Sequence, residues 1–378
     1  IPHGSILVNI RIGEGKLHIS ADFLELPEKG RVAMLRQVAA LNINRLMLPR
    51  FRKEGDKLKM EYVCPLSQSH PHKLYFILRN ICHIGDRYDD EFCAKFGAKR
   101  SYEPQVTPYS EEEVTRIHEA VRQTCRETLE AVKEYEAERK YGYSWNVIDI
   151  ALYKISYFAK PQGQLMNDLD KAVDDMDKEL PVAELVTKGK AFLERLLAMP
   201  REELARDLYF VDTLVSAKRR SSLNNVQENF KEVYKEAADA IEAENYERSA
   251  VRILYKFYEM YFYNDVQDDL NAVIANALRK SAGKSMEEAS EILFEALEKV
   301  MDDDLTTDDD EEETGELGAA AAAAVEQVQQ MAAAMQGEIV QMQAAMQQAL
   351  MKGDMAEYMR LAQEFQQKMM EQALGQQK

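Results

Sequence analysis

ILVNIRIGEGKLHISADF, residues 6–23, alternates apolar and polar side chains on both sides of Gly13-Glu14-Gly15. Ile6, Val8, Ile10 and Ile12 fall on one side of an extended chain, and Leu7, Asn9 and Arg11 on the other. Beyond the turn Leu17, Ile19, Ala21 and Phe23 alternate with Lys16, His18, Ser20 and Asp22. A period of two sends successive side chains to opposite faces. Two such runs around a glycine-rich turn predict a β-hairpin with one buried face.

From Arg31 the rhythm lengthens, and Met34, Leu35, Val38 and Leu41 share one helical face. A second hairpin follows. Leu46, Leu48 and Phe51 lead into Glu54-Gly55-Asp56, after which Leu58, Met60 and Tyr62 oppose Lys57, Lys59 and Glu61. After a loop from Pro65 to Pro71, Leu74, Ile77, Leu78, Ile81, Ile84, Tyr88 and Phe92 make the stripe of a second helix ending near Gly97. The predicted order over residues 1–103 is ββαββα: a small α/β head with helices on the apolar face of an antiparallel sheet.

Past Pro104 and Pro108 the pattern is helical throughout. Ser110 and Glu113 form a capping-box signature opening a helix to about Lys140. A strongly apolar helix through Trp145, Ile148, Leu152, Ile155 and Phe158 is expected to be the most buried of the region. Further helices are expected over 164–178, 181–198, 201–217, 222–243, 246–264, 266–281 and 285–301. Tyr255, Phe257, Tyr258, Tyr261, Phe262 and Tyr263 put aromatic rings on several sides of one helix, which predicts burial on several sides. The turns before Tyr246 and Tyr358 resemble those of tetratricopeptide helix pairs, without a countable repeat. Residues 104–301 thus read as a helical domain.

Residues 302–318 read as a disordered acidic linker, since residues 302–316 hold ten acids and no base. Residues 319–378 read as an Ala/Gln/Met-rich helical hairpin, with methionine stripes through Met342, Met346, Met355 and Met359. Methionine is common on adaptable binding surfaces.

The formal net charge is −18, yet residues 1–100 carry 17 Lys and Arg against 11 Asp and Glu. A globally acidic chain is a poor partner for nucleic acid. A basic head suits an acidic protein segment, and Arg50, Arg52, Lys57 and Lys59 around the second hairpin are its candidate docking residues. No apolar run reaches the ~18–20 residues that span a bilayer. The opening Ile1-Pro2-His3-Gly4 lacks a signal-peptide pattern. Cys64, Cys82, Cys93 and Cys125 read as free thiols of a reducing compartment, so a cytoplasmic location is expected.

No catalytic constellation emerges. Gly283-Lys284-Ser285 lacks the earlier glycine of a phosphate loop, because Leu278 stands there. Cys64, His70, His72, Cys82 and His83 lack metal-ligand spacing. Asp174, Asp175 and Asp177 are out of register for a calcium loop. No cofactor or metal is expected.

The run KGRVAMLRQVAALNINRLMLPRF (29–51), with GDKLKMEYVCPL (55–66) and HKLYFILRNICHIGDRYDDEF (72–92), resembles the YbjN-like family. That family shares its fold with type III secretion chaperones. The resemblance implies a head that binds other polypeptides and often dimerises, with no catalytic residues.

The expectation is therefore a cytoplasmic, bacterial-type, non-enzymatic adaptor or chaperone-like protein. Its partners would be proteins or peptides, with a homodimer as one arrangement and neither nucleic acid nor membrane involved. Tyr258 and Tyr261 on the aromatic helix and the four tail methionines join the basic residues as candidate partner-binding positions. Two other readings compete: a small-molecule sensor or enzyme using the aromatic helical domain as a pocket, and a structural subunit of a larger assembly.

Overall fold

Strand-forming alternation and helical stripes segregate in the computed structural model, which describes residues 1–306 and is an α+β chain rich in helix. The readings that fall on residues 307–378, including Met342, Met346, Met355 and Met359, lie outside the described residues. In the head, β1 (Pro2–His3), β2 (Ile6–Gly13), β3 (Lys16–Glu25), β4 (Arg50–Glu54) and β5 (Lys57–Pro65) form an antiparallel sheet in the order β1-β2-β3-β5-β4. A short β6 (Lys99–Arg100) pairs with the end of β3. The first turn has positive φ at both Glu14 (53°) and Gly15 (69°), as a type I′ hairpin turn demands. α1 (Arg31–Asn44) and α2 (Pro71–Phe96) lie on one face of the sheet. Ile6, Val8, Leu17, Ile19, Phe23, Leu58 and Met60 point at Met34, Val38, Ile77, Ile81 and Phe92 to form the head's core.

The helical region holds two further cores. α3 (Glu111–Ala137), α4 (Tyr141–Ala159), α5 (Gly163–Met176), α6 (Val182–Ala198) and α7 (Arg201–Ala205) pack around Val121, Ile148, Leu152, Leu169, Val186 and Leu193. α8 (Leu223–Glu242), α9 (Tyr246–Tyr263), α10 (Asp268–Ser281) and α11 (Met286–Met301) pack around Phe230, Ile253, Phe257, Leu270, Leu293 and Leu297. Ser110 does cap α3 in a reciprocal box with Glu113. α9 belongs to both cores: Tyr255, Tyr258 and Phe262 pack on the first, Ile253, Phe257 and Tyr261 in the second. That double duty is why rings occupy several sides of it.

One helix expectation fails. Residues 201–217 are not one helix. α7 ends at Ala205, and residues 206–222 run as an extended strap. Within it β8 (Tyr209–Val211) pairs with β7 (Val106–Pro108), and β9 (Arg219–Arg220) pairs with β10 (Asn264–Asp265). Tyr209, Phe210, Val211, Thr213 and Val215 favour extended backbone, and tertiary partners decide the matter. The Asp207 carboxylate accepts the Leu165 N–H at 2.8 Å, and Gly4 N–H donates to the Asp212 carbonyl at 2.9 Å. Leu214 and Val215 enter the head's core. The Lys218 ammonium donates to the Tyr261 carbonyl at 2.6 Å. The strap stitches all three cores, and Ile1–Leu305 form one compact unit.

The stitch depends on a neutral histidine. The Leu214 N–H donates to His3 Nδ1 at 3.0 Å, which requires that nitrogen to be unprotonated. Burial holds His3 down to about 4. His83, on α2 beside Arg79 and Arg87 and near His3, is also lowered to about 4, chiefly by burial. Asp86, Asp89 and Asp170 nearby are shifted upward by burial, so their protonation acts in the opposite sense. A lowered histidine binds fewer protons folded than unfolded, so its contribution is lost as pH falls from about 6.5 towards 4. His3→Asn keeps an acceptor for Leu214 but does not titrate. The stability advantage of the native chain over His3→Asn, measured by denaturant unfolding, should shrink by about 2 kcal/mol between pH 7 and pH 4.5. A pH-independent difference would contradict the assignment.

Candidate functional site

The two edges of the head sheet are built differently. β4, at one edge, carries Arg50, Arg52, Lys53 and Glu54 around a single apolar residue, Phe51, which is buried. Charge of this kind discourages strand addition. At the other edge β1 covers Ile6 and Leu7 of β2, and Ile1 exchanges backbone hydrogen bonds with Val8 at 2.8 and 2.9 Å. From Asn9 to Gly13 the outer side of β2 has no partner strand among the described residues. Ile10 and Ile12 lie on the same side as the buried Ile6 and Val8, opposite Ile19 and Leu17, yet they are 44% and 64% exposed. The alternation of β2 predicts a buried face along its whole length, and only the first half is covered. The exposed half is an apolar, unpaired strand edge.

The basic candidates stand among acids. The Arg50 guanidinium donates to the Leu46, Met47 and Pro49 carbonyls at 2.7–3.1 Å, and so braces the loop before β4. Arg52 pairs with Glu61 at 3.2 Å and Lys57 with Glu25 at 3.5 Å. Lys59 pairs with Glu54 at 2.9 Å and Asp22 at 3.7 Å, and Glu54 raises its pKa. The outer face is a ladder of alternating charge, in which each exposed pair contributes little. Tyr258 and Tyr261 lie in the seam between α4 and α9 with Tyr157 between them. Tyr261 is buried, and its hydroxyl donates to Asn271 Oδ1 at 2.8 Å.

The remaining motifs have local tasks. Ser285, last of the Gly-Lys-Ser triplet, caps α11 with Glu288. His70 and His72 stack at 5.3 Å, while Cys64 and Cys82 are buried and His83 faces the strap. Burial pushes the Cys82 thiol up to about 12, far from a reactive thiolate. Among the described residues no three His, Cys, Asp or Glu side chains converge as metal ligands. No helix among them is long and apolar enough to cross a membrane.

A second feature carried no motif. A cleft of about 360 Å³ opens between α4, the end of α5, the start of α6 and α9. Trp145, Asn146, Met176, Asp177, Leu185 and Arg252 line it. One turn beyond Asn146 on α4 comes Asp149, fully buried, with neither carboxylate oxygen hydrogen-bonded. Burial, then Asp177, then Glu259 push its pKa up to about 8. Asp149 was invisible in the sequence because an acid in an apolar helix reads as a solvated position. Its neighbours come from α9 and from the residue after α5, and only the fold assembles them.

A raised carboxyl binds more protons folded than unfolded. Its burial is harmless below about pH 4 and becomes costly as pH rises towards 8. Asp149→Asn should match the native stability near pH 4 and exceed it by about 5 kcal/mol at pH 8, read by denaturant unfolding. Equal stability at both pH values would remove Asp149 from this role.

No family model, curated protein or solved structure matches the chain, so function rests on these two features of its own geometry.

Proposed function

We propose that this chain is a non-enzymatic, chaperone-like adaptor that captures an extended polypeptide segment on the open edge of β2. The carrying observation is the contrast between the two sheet edges. β4 is blunted by four charged residues, whereas β2 leaves Ile10 and Ile12 exposed beside unpaired backbone. A free edge of this kind is a template for strand addition. Main-chain hydrogen bonds supply affinity, and alternate side chains of the guest supply specificity. The guest should carry apolar residues at every second position to cover Ile10 and Ile12. The positive balance of residues 1–100 favours acidic flanks. The resemblance of residues 29–92 to YbjN-like proteins points the same way, and a cytoplasmic setting suits the free cysteines. A homodimer pairing two β2 edges uses the same surface.

The test is titration of a labelled peptide with alternating apolar residues and acidic flanks, alongside a size measurement. Ile12→Lys should leave folding within about 0.5 kcal/mol of the native chain, since the side chain is exposed. It should weaken peptide binding, or dimerisation, at least tenfold. Lys53→Ala on the opposite edge should change neither. Equal binding by the Ile12→Lys protein would sink the proposal.

A further inference from the structure

At the wall of the cleft, and one helical turn behind it at Asp149, lie buried acceptors that no donor reaches. Asn146 Oδ1, Asp149 Oδ1 and Asp149 Oδ2 are all buried, and none receives a hydrogen bond. Asn146 lines the cleft, and the spacing 146, 149, 153 places Asn146, Asp149 and Tyr153 on one face of α4. Asp177 lines the cleft from the end of α5, and both it and Glu259 of α9 act electrostatically on Asp149. The cations in reach are already engaged. Lys256 bonds Glu259 at 2.6 Å, Lys178 pairs with Asp175, and Arg252 bonds Glu236 at 2.9 Å. A carboxyl retained only for packing would find a donor or be replaced by an apolar residue, because an unsatisfied buried polar group costs stability. Three orphan acceptors in one place call for a ligand made of donors.

Trp145 of the lining, and the tyrosines packed behind it, narrow the chemistry further. Trp145 and Tyr255 lie with ring centroids 5.5 Å apart, and Tyr153 meets Tyr255 at 5.9 Å and Tyr263 at 6.3 Å. The Trp145 indole N–H is fixed on the Met176 carbonyl at 3.0 Å, which holds the ring in place. Aromatic faces attract ammonium groups. Met176, Val182 and Leu185 add apolar lining for a hydrocarbon stem. A volume of about 360 Å³ suits a small molecule or one long side chain. The carboxylates do not gather into a metal site.

We propose that this cleft binds an organic cation, a primary ammonium on an apolar stem, with Asn146 and Asp177 of the lining accepting its hydrogen bonds, Asp149 one helical turn behind Asn146 supplying the buried negative charge, and Trp145, backed by Tyr255, beside the stem. Such a head is offered by a free alkylamine or by a lysine side chain. The inference is independent of strand capture at β2. Binding carries a proton signature: Asp149, largely protonated at neutral pH, gives up its proton to the solvent as the ammonium arrives. The other groups facing the site are Asp177, Lys178, Arg252, Tyr255, Lys256, Glu259, Tyr153 and Tyr263, and the tyrosines are all raised, chiefly by burial.

Calorimetric titration of the full chain with n-pentylamine and with an N-acetyl-lysine amide, in buffers of differing ionisation enthalpy, tests this. Saturable binding of either is expected, with about one proton released per ligand at pH 7 and little at pH 9. Affinity should rise up to about tenfold per pH unit between 6 and 8. The tighter of the two ligands identifies the source. n-Pentanol, which lacks the charge, should not compete, and Asp149→Asn should bind at least tenfold more weakly. Absence of saturable heat with both amines, equal binding of pentanol, or binding without proton release overturns the proposal. The proton count is made on the native chain, so it stands whatever the variant's stability.

Discussion

The seam where α4 crosses α9 is the constraint from which the helical region takes its form. Tyr153, Tyr157, Tyr255, Tyr258, Tyr261 and Phe262 interlock there, with ring centroids mostly between 4.6 and 6.1 Å. Each large ring buries much apolar surface, and each tyrosine leaves a polar tip that needs a partner. One layer of side chains thereby closes two cores, and neither helix bundle ends in a free apolar face at that junction. The same crowding takes Asp149 out of water. The seam is thus both the strongest apolar contact between the bundles and the origin of their least satisfied carboxyl.

The strap from 206 to 222 performs the corresponding task for the head. It trades the internal hydrogen bonds of a helix for bonds to β7, to β10, to the His3 ring and to the backbone of Gly4. Every buried backbone group must find a partner somewhere. In the strap those partners come from residues distant in sequence. Leu214 and Val215 then fill a head core that residues 1–103 leave incomplete. The rhythm change near Pro104 therefore marks a change of element type within one compact unit.

Legibility followed the range of the interactions. The long stripes of α3, α5, α6 and α8 to α11 could be read because amphipathic helices announce themselves over many turns. The caps Ser110-Glu113 and the turn at Glu14-Gly15 are equally local. The strap could not be read in this way: its residues tolerate a helix in isolation, and distant partners choose otherwise. Nor could the exposure of Ile10 and Ile12, since alternation says which side of a strand is apolar but not how far the covering helix reaches. The basic residues near the second hairpin were legible as a group. Their acids, Asp22, Glu25 and Glu61, stand on neighbouring strands whose register only pairing reveals.

By itself the sequence determined the periodicities, and with them which segments pleat and which coil, because those depend on spacing along one chain. It also determined an acidic balance that disfavours nucleic acid. The tertiary structure alone decided that one strand edge stays open and apolar while the other is charged. It alone set Asn146 and Asp177 on one cleft and brought Asp177 and Glu259 into electrostatic range of the buried Asp149. Burial and electrostatic neighbourhood are properties of three-dimensional proximity, and residues 110 positions apart acquire them only when α4 meets α9.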